Sequence, residues 1–183
     1  MPHNVAHPAL RRQTLSDLLH RTAARLPHKP GIVCGSTRWT WKEFDTLVSR
    51  LAAGLHAQGV AQGEHVGVLA RNSHGFAALR FALARLGAVM VPVNFMLNAD
   101  EAGYILRHAG VRLLAVDSGL HALGRDAAAR DTQISRFLWL PSEDPSTCPA
   151  GCLNFDDLAA TDLADHPCPE PGFNSHHLLQ IVY

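Results

Sequence analysis

The sequence has no excess of either charge and very little lysine. Sixteen basic residues balance sixteen acidic ones, and only Lys29 and Lys42 are lysines. Proteins that bind nucleic acid or an anionic membrane surface usually carry a basic patch, so this balance argues against both kinds of partner. The arginines are scattered singly along the chain, which predicts that they lie on a solvated surface.

Long apolar runs are also absent. Met1–Leu15 has no apolar core of the kind found in secretory signals, and the most apolar region, Leu79–Val93, is interrupted by Arg80, Arg85 and Gly87. We therefore expect no membrane span and a cytoplasmic protein. Hydrophobic residues nevertheless make up 47% of the chain and charged residues 17%, a composition that excludes a disordered chain and predicts a packed core.

Cysteine is scarce, and its spacing does not favour a metal site. The four cysteines are Cys34, Cys148, Cys152 and Cys168. In a cytosolic protein they need not pair. Cys148 and Cys152 have a tolerable ligand spacing, but no second matching pair follows them, and Cys168 stands between two prolines. We therefore predict no zinc or other metal in this region.

The chain carries no signature of a phosphate-binding or nucleophilic site. No Gly-x-Gly-x-x-Gly follows a strand, no Gly-Lys-Ser/Thr is present, and no serine has the spacing of a nucleophile elbow. The carboxylate pairs Asp156–Asp157 and Asp162 with Asp165 are predicted to cap turns, and His74 and His108 to be ordinary surface or core histidines. Composition and spacing therefore assign no catalytic residue.

The sequence does have a regular alternation of helix and strand patterns. Capping boxes at Thr14 and Thr40 begin the first two helices. Further helices are predicted to begin at Ser73, Asn98 and Ser118, and strands to span Gly31–Cys34, Thr37–Thr40, His65–Ala70, Ala88–Val93, Arg112–Asp117 and Ser135–Leu140. Short links between these elements predict a doubly wound α/β fold, with a mostly parallel sheet and helices on both faces.

Composition divides the chain into four parts. These are a loosely ordered N-terminus (1–13), an α/β subdomain (14–140), a proline-rich connector (141–175) with a short helix over 155–160, and a terminal strand (176–183). Leu178–Val182 has no charge and no proline, which is typical of self-pairing segments. We expect this strand either to lie beside its own sheet or to offer an edge to a second copy, so a homo-oligomer is predicted.

Several short phrases of the sequence form a series. They are Thr40–Phe44, Leu51–Leu55, Gly59–Gly67, Val68–Ser73, Leu86–Asn94, Leu114–Asp117 and Leu179–Tyr183. In this order and at these distances, they resemble the beginning of fatty-acyl-CoA synthetases, a branch of the adenylate-forming enzymes. The resemblance covers about Thr14 to Tyr183. Since the last phrase resembles the strand before the family's adenylate-binding loop, the resemblance implies that the signature catalytic residues would follow Tyr183.

This resemblance implies the N-terminal part of an acyl-CoA ligase that works in two steps. A carboxylate, expected to be that of a fatty acid, attacks the α-phosphate of Mg-ATP to give an acyl-adenylate and pyrophosphate. The thiolate of coenzyme A then displaces AMP. ATP, Mg²⁺ and coenzyme A would serve the complete enzyme, whereas the 183-residue chain alone is expected to be inactive and to bind none of them.

One loop can be compared with the family's coenzyme A site. Family members often carry a basic residue two positions after the asparagine of the Pro-Val-Asn phrase, near the coenzyme A nucleotide. Here that asparagine is Asn94 and the position is Met96, so both are candidates for a place near coenzyme A, without the charge. The stretch Phe95–Leu97 also suits apolar packing, which we favour.

A second hypothesis belongs to another functional class. The chain could be a stand-alone binding or oligomerisation module that has the fold without the chemistry. Both hypotheses use the same residues, so the sequence does not separate them. A Thr/Ser/Gly-rich loop encoded after Tyr183 would favour the ligase, and a stop codon there would favour the module.

Overall fold

The computed structural model describes residues 14–141, 147–168 and 179–183. The helices are α1 (Leu15–Arg25), α2 (Trp41–Ala57), α3 (His74–Leu86), α4 (Ala99–His108), α5 (His121–Ala128) and α6 (Phe155–Ala159). The strands are β1 (Pro30–Cys34), β2 (Thr37–Thr40), β3 (His65–Leu69), β4 (Val89–Pro92), β5 (Leu113–Asp117), β6 (Arg136–Leu140) and β7 (Leu153–Asn154).

Five of the strands form one parallel sheet in the order β4-β3-β5-β6-β7. The first two strands form a separate antiparallel hairpin. Beside β4, on the edge away from β3, Gln180 makes a single parallel bridge to Met90. The predicted doubly wound α/β sheet is therefore confirmed.

Side-chain caps explain where the main helices begin. The hydroxyls of Thr14 and Thr40 accept hydrogen bonds from the amides of Asp17 (3.1 Å) and Glu43 (3.2 Å), and the carboxylates of Asp17 and Glu43 accept from the cap amides in return. Asn98 begins α4 in the same way. Each reciprocal pair satisfies backbone donors that a helix start leaves without partners.

The two faces of the sheet are covered by different helices. Side chains of α1, α2, α3 and α6 form one apolar cluster with the inner residues of the strands, and the fully buried Phe44 of α2 lies in it. On the opposite face α4 and α5 form a smaller cluster. Successive strand residues alternate between the clusters, as Val68 and Leu69 do, because side chains of a strand point to opposite faces.

Three sequence predictions need correction. The connector 141–175 contains a strand, β7, which has only two residues and so gives no period-two pattern. The predicted helix Ser118–Arg130 begins with a 3₁₀ turn, Ser118–Leu120, before α5. Of the predicted terminal strand 176–183, residues 176–178 lie outside the described residues, and 179–183 make one bridge beside their own sheet instead of a full strand.

The arginines are not all solvated, because Arg85 is buried where three helices meet. It is 7% exposed. Its guanidinium donates to the hydroxyls of Ser16 on α1 (3.0 Å) and Ser49 on α2 (2.5 Å), and to the carboxylate (2.6 Å) and carbonyl (3.1 Å) of Asp45. Burial of this charge is tolerated because Nε, Nη1 and Nη2 all have acceptors.

Within the three described stretches, no helix is both long enough and apolar enough to cross a bilayer.

Candidate functional site

The order of the strands points to one crevice. From β3 the chain passes through α3 to β4, on one side of β3, whereas from β5 it passes through α5 to β6, on the other side. The loops after the neighbouring strands β3 and β5 therefore diverge. In open parallel sheets, ligands bind at such a switch point, outside the carboxyl ends of the strands.

Two opposite charges meet at this switch point. Asp117, the last residue of β5, has a side chain that is only 1% exposed, and its carboxylate accepts a hydrogen bond from the backbone amide of Arg71 (2.8 Å). The guanidinium of Arg71 approaches the same carboxylate at 3.5 Å, at the outer limit of a hydrogen bond, and its side chain is 54% exposed. The pair thus joins the loop after β3 to the end of β5.

Two neighbours set the position of the guanidinium. It lies over the ring of Phe95, 5.8 Å from the centroid, within the range of a cation–π contact. A Cβ on Gly119 would lie 2.5 Å from Nη1 of Arg71, so only glycine leaves room for the guanidinium in this position. Loops after three strands, β3, β4 and β5, therefore converge on one cation.

The loop after β4 carries the two residues compared with the coenzyme A site. The side-chain oxygen of Asn94 accepts a hydrogen bond from the amide of Met96 (3.0 Å), which folds the loop into a tight turn. Met96 is 78% exposed and Phe95 43%, whereas Leu97 packs against the α4 and α5 cluster. The favoured packing interpretation is therefore wrong for Phe95 and Met96, and a place near coenzyme A for Asn94 and Met96 stays a prediction.

Two histidines have shifted titrations but lie in apolar surroundings. Burial lowers the pKa of His74, with Asp156 opposing the shift, and its ring is nearly perpendicular to that of Trp39. Burial and the nearby Arg125 lower the pKa of His121, which lies against Phe137 and Trp139. Both environments favour neutral packed rings. His108 instead stacks on Tyr104 and meets Tyr183.

Cys148 and Cys152 are poorly suited to metal binding. Burial raises the pKa of both thiols, which works against the thiolate form that metals bind. Cys152 Sγ lies 3.9 Å from Nε2 of His121. Throughout 14–141, 147–168 and 179–183, no three His, Cys, Asp or Glu side chains are arranged to hold a metal ion. The absence of zinc remains a prediction, because other histidines lie outside these ranges.

Three of the four paired carboxylates, those of Asp156, Asp157 and Asp162, serve local structure. Asp156 and Asp157 lie in the first turn of α6, where negative charge is favourable, and Asn154 caps that turn. The carboxylate of Asp162 accepts from the amide of Ala164 (2.9 Å), so its predicted role in a turn is confirmed.

An open groove of about 610 Å³ lies elsewhere, between the hairpin and the helices α2 and α6. Its lining includes the exposed side chains of His28, Lys42 and Arg50 beside Trp39, but no switch-point residue. Glu43, the one acidic side chain among the described residues that line it, is occupied in capping α2. The groove carries no arrangement of groups that would define a reaction.

Sequence patterns alone missed Arg71, Asp117 and Gly119. The sequence patterns predict the end of a strand at Asp117 and a solvated position for Arg71. One signal was available, since both follow apolar strand cores and polar residues at the carboxyl ends of parallel strands often line ligand sites. The strand order, which brings those two ends together, was not readable from the sequence.

Comparison with known proteins gives a consistent result. The profile of the family described as AMP-binding enzyme matches residues 19–183. Acyl-CoA ligase SID4 of Ajellomyces capsulatus is 35% identical over 116 residues, which cover 62% of this chain and 20% of that protein. The peroxisomal benzoate–CoA ligase of Arabidopsis thaliana is 34% identical over 109 residues, covering 60% of this chain and 19% of the relative.

Solved structures agree in fold. A fatty acyl CoA synthetase of Mycobacterium tuberculosis superposes with a TM-score of 0.72 at 26% identity, over 93% of this chain and 32% of that one. The chain thus spans about a fifth of the length of the curated relatives it matches, and about a third of this solved structure.

Proposed function

Because the chain belongs to the AMP-binding enzyme family, we propose that the whole protein activates a carboxylic acid with ATP and transfers the acyl group to coenzyme A. The carboxylate oxygen attacks the α-phosphorus of ATP, and the bond to pyrophosphate breaks. The coenzyme A thiolate then attacks the acyl carbonyl, and AMP leaves with the oxygen. Mg²⁺ would enter with ATP and neutralise charge on its phosphates.

The observation that carries this proposal is the family match over residues 19–183. It is supported by relatives that are named acyl-CoA and benzoate–CoA ligases. Those names differ in the acid, so a fatty acid as the substrate of this protein is the finer part of the proposal. A cytoplasmic location and self-association belong to the same finer part.

In this proposal the described chain supplies a scaffold and one wall of a site. The switch point between β3 and β5, with the Asn94–Met96 loop beside it, would face the coenzyme A nucleotide. The sequence contains no glycine-rich motif of the kind that binds phosphates, so adenylation would depend on other parts of the protein. The 183-residue chain alone is therefore expected to be inactive.

The test is product formation by the full-length protein that carries this chain. It is incubated with Mg-ATP, coenzyme A and a panel of aliphatic and aromatic acids. Acyl-CoA, AMP and pyrophosphate in equal amounts would support the proposal, and the preferred acid would identify the substrate class. The matched control is the 183-residue chain alone. Absence of both acyl-adenylate and acyl-CoA with every acid would overturn the proposal.

A further inference from the structure

Arg71 has hydrogen-bonding capacity that the fold does not use. A guanidinium has five N–H donors in a planar fork. In the part of the chain that the structure describes, this one makes a single long contact, 3.5 Å, to Asp117, and no other hydrogen bond or ion pair. Its side chain is more than half exposed at the switch point. Several donors are therefore directed toward solvent in the crevice.

The position of this cation is built by its neighbours. Gly119 leaves the space that Nη1 occupies, and the ring of Phe95 lies under the guanidinium. The amide of Arg71 is also fixed, because it donates to the buried carboxylate of Asp117 at 2.8 Å. A surface arginine held from three sides loses less conformational freedom on binding an anion than a free one does.

The surroundings favour a nucleotide as the ligand. The exposed Phe95 and Met96 offer apolar area beside the cation, which suits a molecule that has both a planar ring and phosphates. The proposed reaction has two such substrates, ATP and coenzyme A. The Asn94–Met96 loop has no charge of its own, and the guanidinium of Arg71 lies over the ring of Phe95 in that loop.

We propose that Arg71 binds a phosphate of the coenzyme A nucleotide and thereby supplies the positive charge that the chain lacks at Met96. The inference rests on the proposed function. It assigns a binding role to one residue and leaves both chemical steps to other groups.

The test is steady-state kinetics of Arg71→Met in the full-length protein. Loss of a charge-assisted hydrogen bond to phosphate should raise KM for coenzyme A about tenfold or more. KM for ATP should stay within about twofold. The matched control is Arg112→Met, since Arg112 is exposed at the opposite end of β5. An unchanged KM for coenzyme A, or a rise in KM for ATP instead, would overturn the inference.

Dephospho-coenzyme A identifies which phosphate is bound. If Arg71 contacts the 3′-phosphate, the substitution raises KM only for coenzyme A. If it contacts the pyrophosphate, KM rises for both compounds. Either result supports the inference, and an equal rise with pantetheine, which has neither group, would contradict it.

A double variant separates binding from stability. Arg71 also neutralises Asp117, so Arg71→Met could act by leaving a buried carboxylate unpaired. Arg71→Met with Asp117→Asn removes both charges, so that no unpaired carboxylate stays buried, and KM for coenzyme A should still be raised. If KM instead returns to the wild-type value, Arg71 serves only Asp117 and the inference is wrong.

The same measurements separate this inference from the proposed function. Wild-type protein that forms acyl-CoA, with variants that bind coenzyme A normally, would overturn the role of Arg71 alone. Wild-type protein that forms neither acyl-adenylate nor acyl-CoA would overturn the proposed function and the inference with it.

Discussion

Two arginines in this protein occupy regions that are organised in opposite ways. At the junction of α1, α2 and α3, Arg85 is buried, and each of its three guanidinium nitrogens donates to a serine or to Asp45. At the strand ends, Arg71 is half exposed and meets its carboxylate partner at 3.5 Å. The first arrangement buries the guanidinium and uses four of its five N–H donors within the fold, whereas the second leaves several donors exposed.

The two arrangements distinguish an arginine that stabilises the fold from one that can bind a ligand. A buried ion pair is costly to break, because the remaining charge has lost both its partner and its water. A half-exposed guanidinium that meets its partner only at 3.5 Å keeps free donors, which can bind an anion. The substitutions below test whether the two regions differ in this way.

The largest effect is expected at the helix junction. Arg85→Met should destabilise the protein by about 3–5 kcal/mol, because it leaves the Asp45 carboxylate without its guanidinium and removes the donor to the buried hydroxyl of Ser16 and to that of Ser49. Urea unfolding with linear extrapolation measures this free energy. Arg38→Met, at an exposed position of β2, is the control. Equal costs for the two variants would mean that the buried network contributes nothing specific.

Asp117→Asn should have a smaller effect. The buried carboxylate accepts from the amide of Arg71, and its conversion to an uncharged amide weakens that hydrogen bond, at a cost of about 1–3 kcal/mol. Urea unfolding again provides the measurement. Asp126→Asn, exposed on α5, is the matched control and should cost almost nothing. A stability equal to wild type would show that the strand ends do not depend on this charge.

A pH dependence should distinguish the two faces of the sheet. Burial lowers the pKa of His74 on one face and of His121 on the other, so the folded protein binds fewer protons than the unfolded chain. The stabilisation that the two neutral histidines contribute is therefore complete above about pH 6.5. It is lost as the pH falls from there toward the pKa values of these side chains in the folded protein. The loss should be modest, because both side chains are only partly buried.

Single and double glutamine variants test this dependence. Unfolding midpoints of His74→Gln and His121→Gln are measured across the range, and each should lose part of the acid sensitivity. The neighbouring charges act in opposite directions, since Asp156 raises the pKa of His74 whereas Arg125 lowers that of His121 further. If the unfolding midpoint of the double variant changed with pH as steeply as that of the wild type, His74 and His121 would not be the source of the acid sensitivity.

The smallest effect on stability is expected from Gly119→Ala. The added Cβ would meet Nη1 of Arg71 at 2.5 Å, but the end of a flexible side chain can move, so the cost should be within about 0.5 kcal/mol. The guanidinium should nevertheless leave the Phe95 ring, which changes the NMR shifts of that ring. In an Arg71→Met background the same substitution should leave those shifts unaltered. Identical ring spectra for wild type and Gly119→Ala would show that Gly119 does not position Arg71.

Much of the fold could be predicted because local signals agreed with the packing. The capping boxes at Thr14 and Thr40 began their helices where the sequence placed them, and the stripe through Phe44 and Val48 is buried. The two-residue strand β7 was missed because its pairing with β6 is a tertiary contact that leaves no periodic pattern.

The candidate site was predicted less well, because it depends on which strands are neighbours. Arg71 and Asp117 are 46 residues apart, and only the insertion of β3 between β4 and β5 brings them together. Arg85 was assigned to the surface for a related reason, since its acceptors come from two other helices. Isolated charges in a sequence do not reveal their partners.

The single bridge beside β4 has a consequence for local opening of the molecule. The amide of Met90 donates to the carbonyl of Leu179 (2.9 Å), the amide of Ile181 donates to Met90 (3.0 Å), and Arg80 donates to the side chain of Gln180 (2.7 Å). Detachment of residues 179–183 would free these groups without breaking any pair between β3 and β4. Hydrogen exchange at the amides of Met90 and Ile181 would then occur through a sub-global opening, with a free energy well below that of complete unfolding.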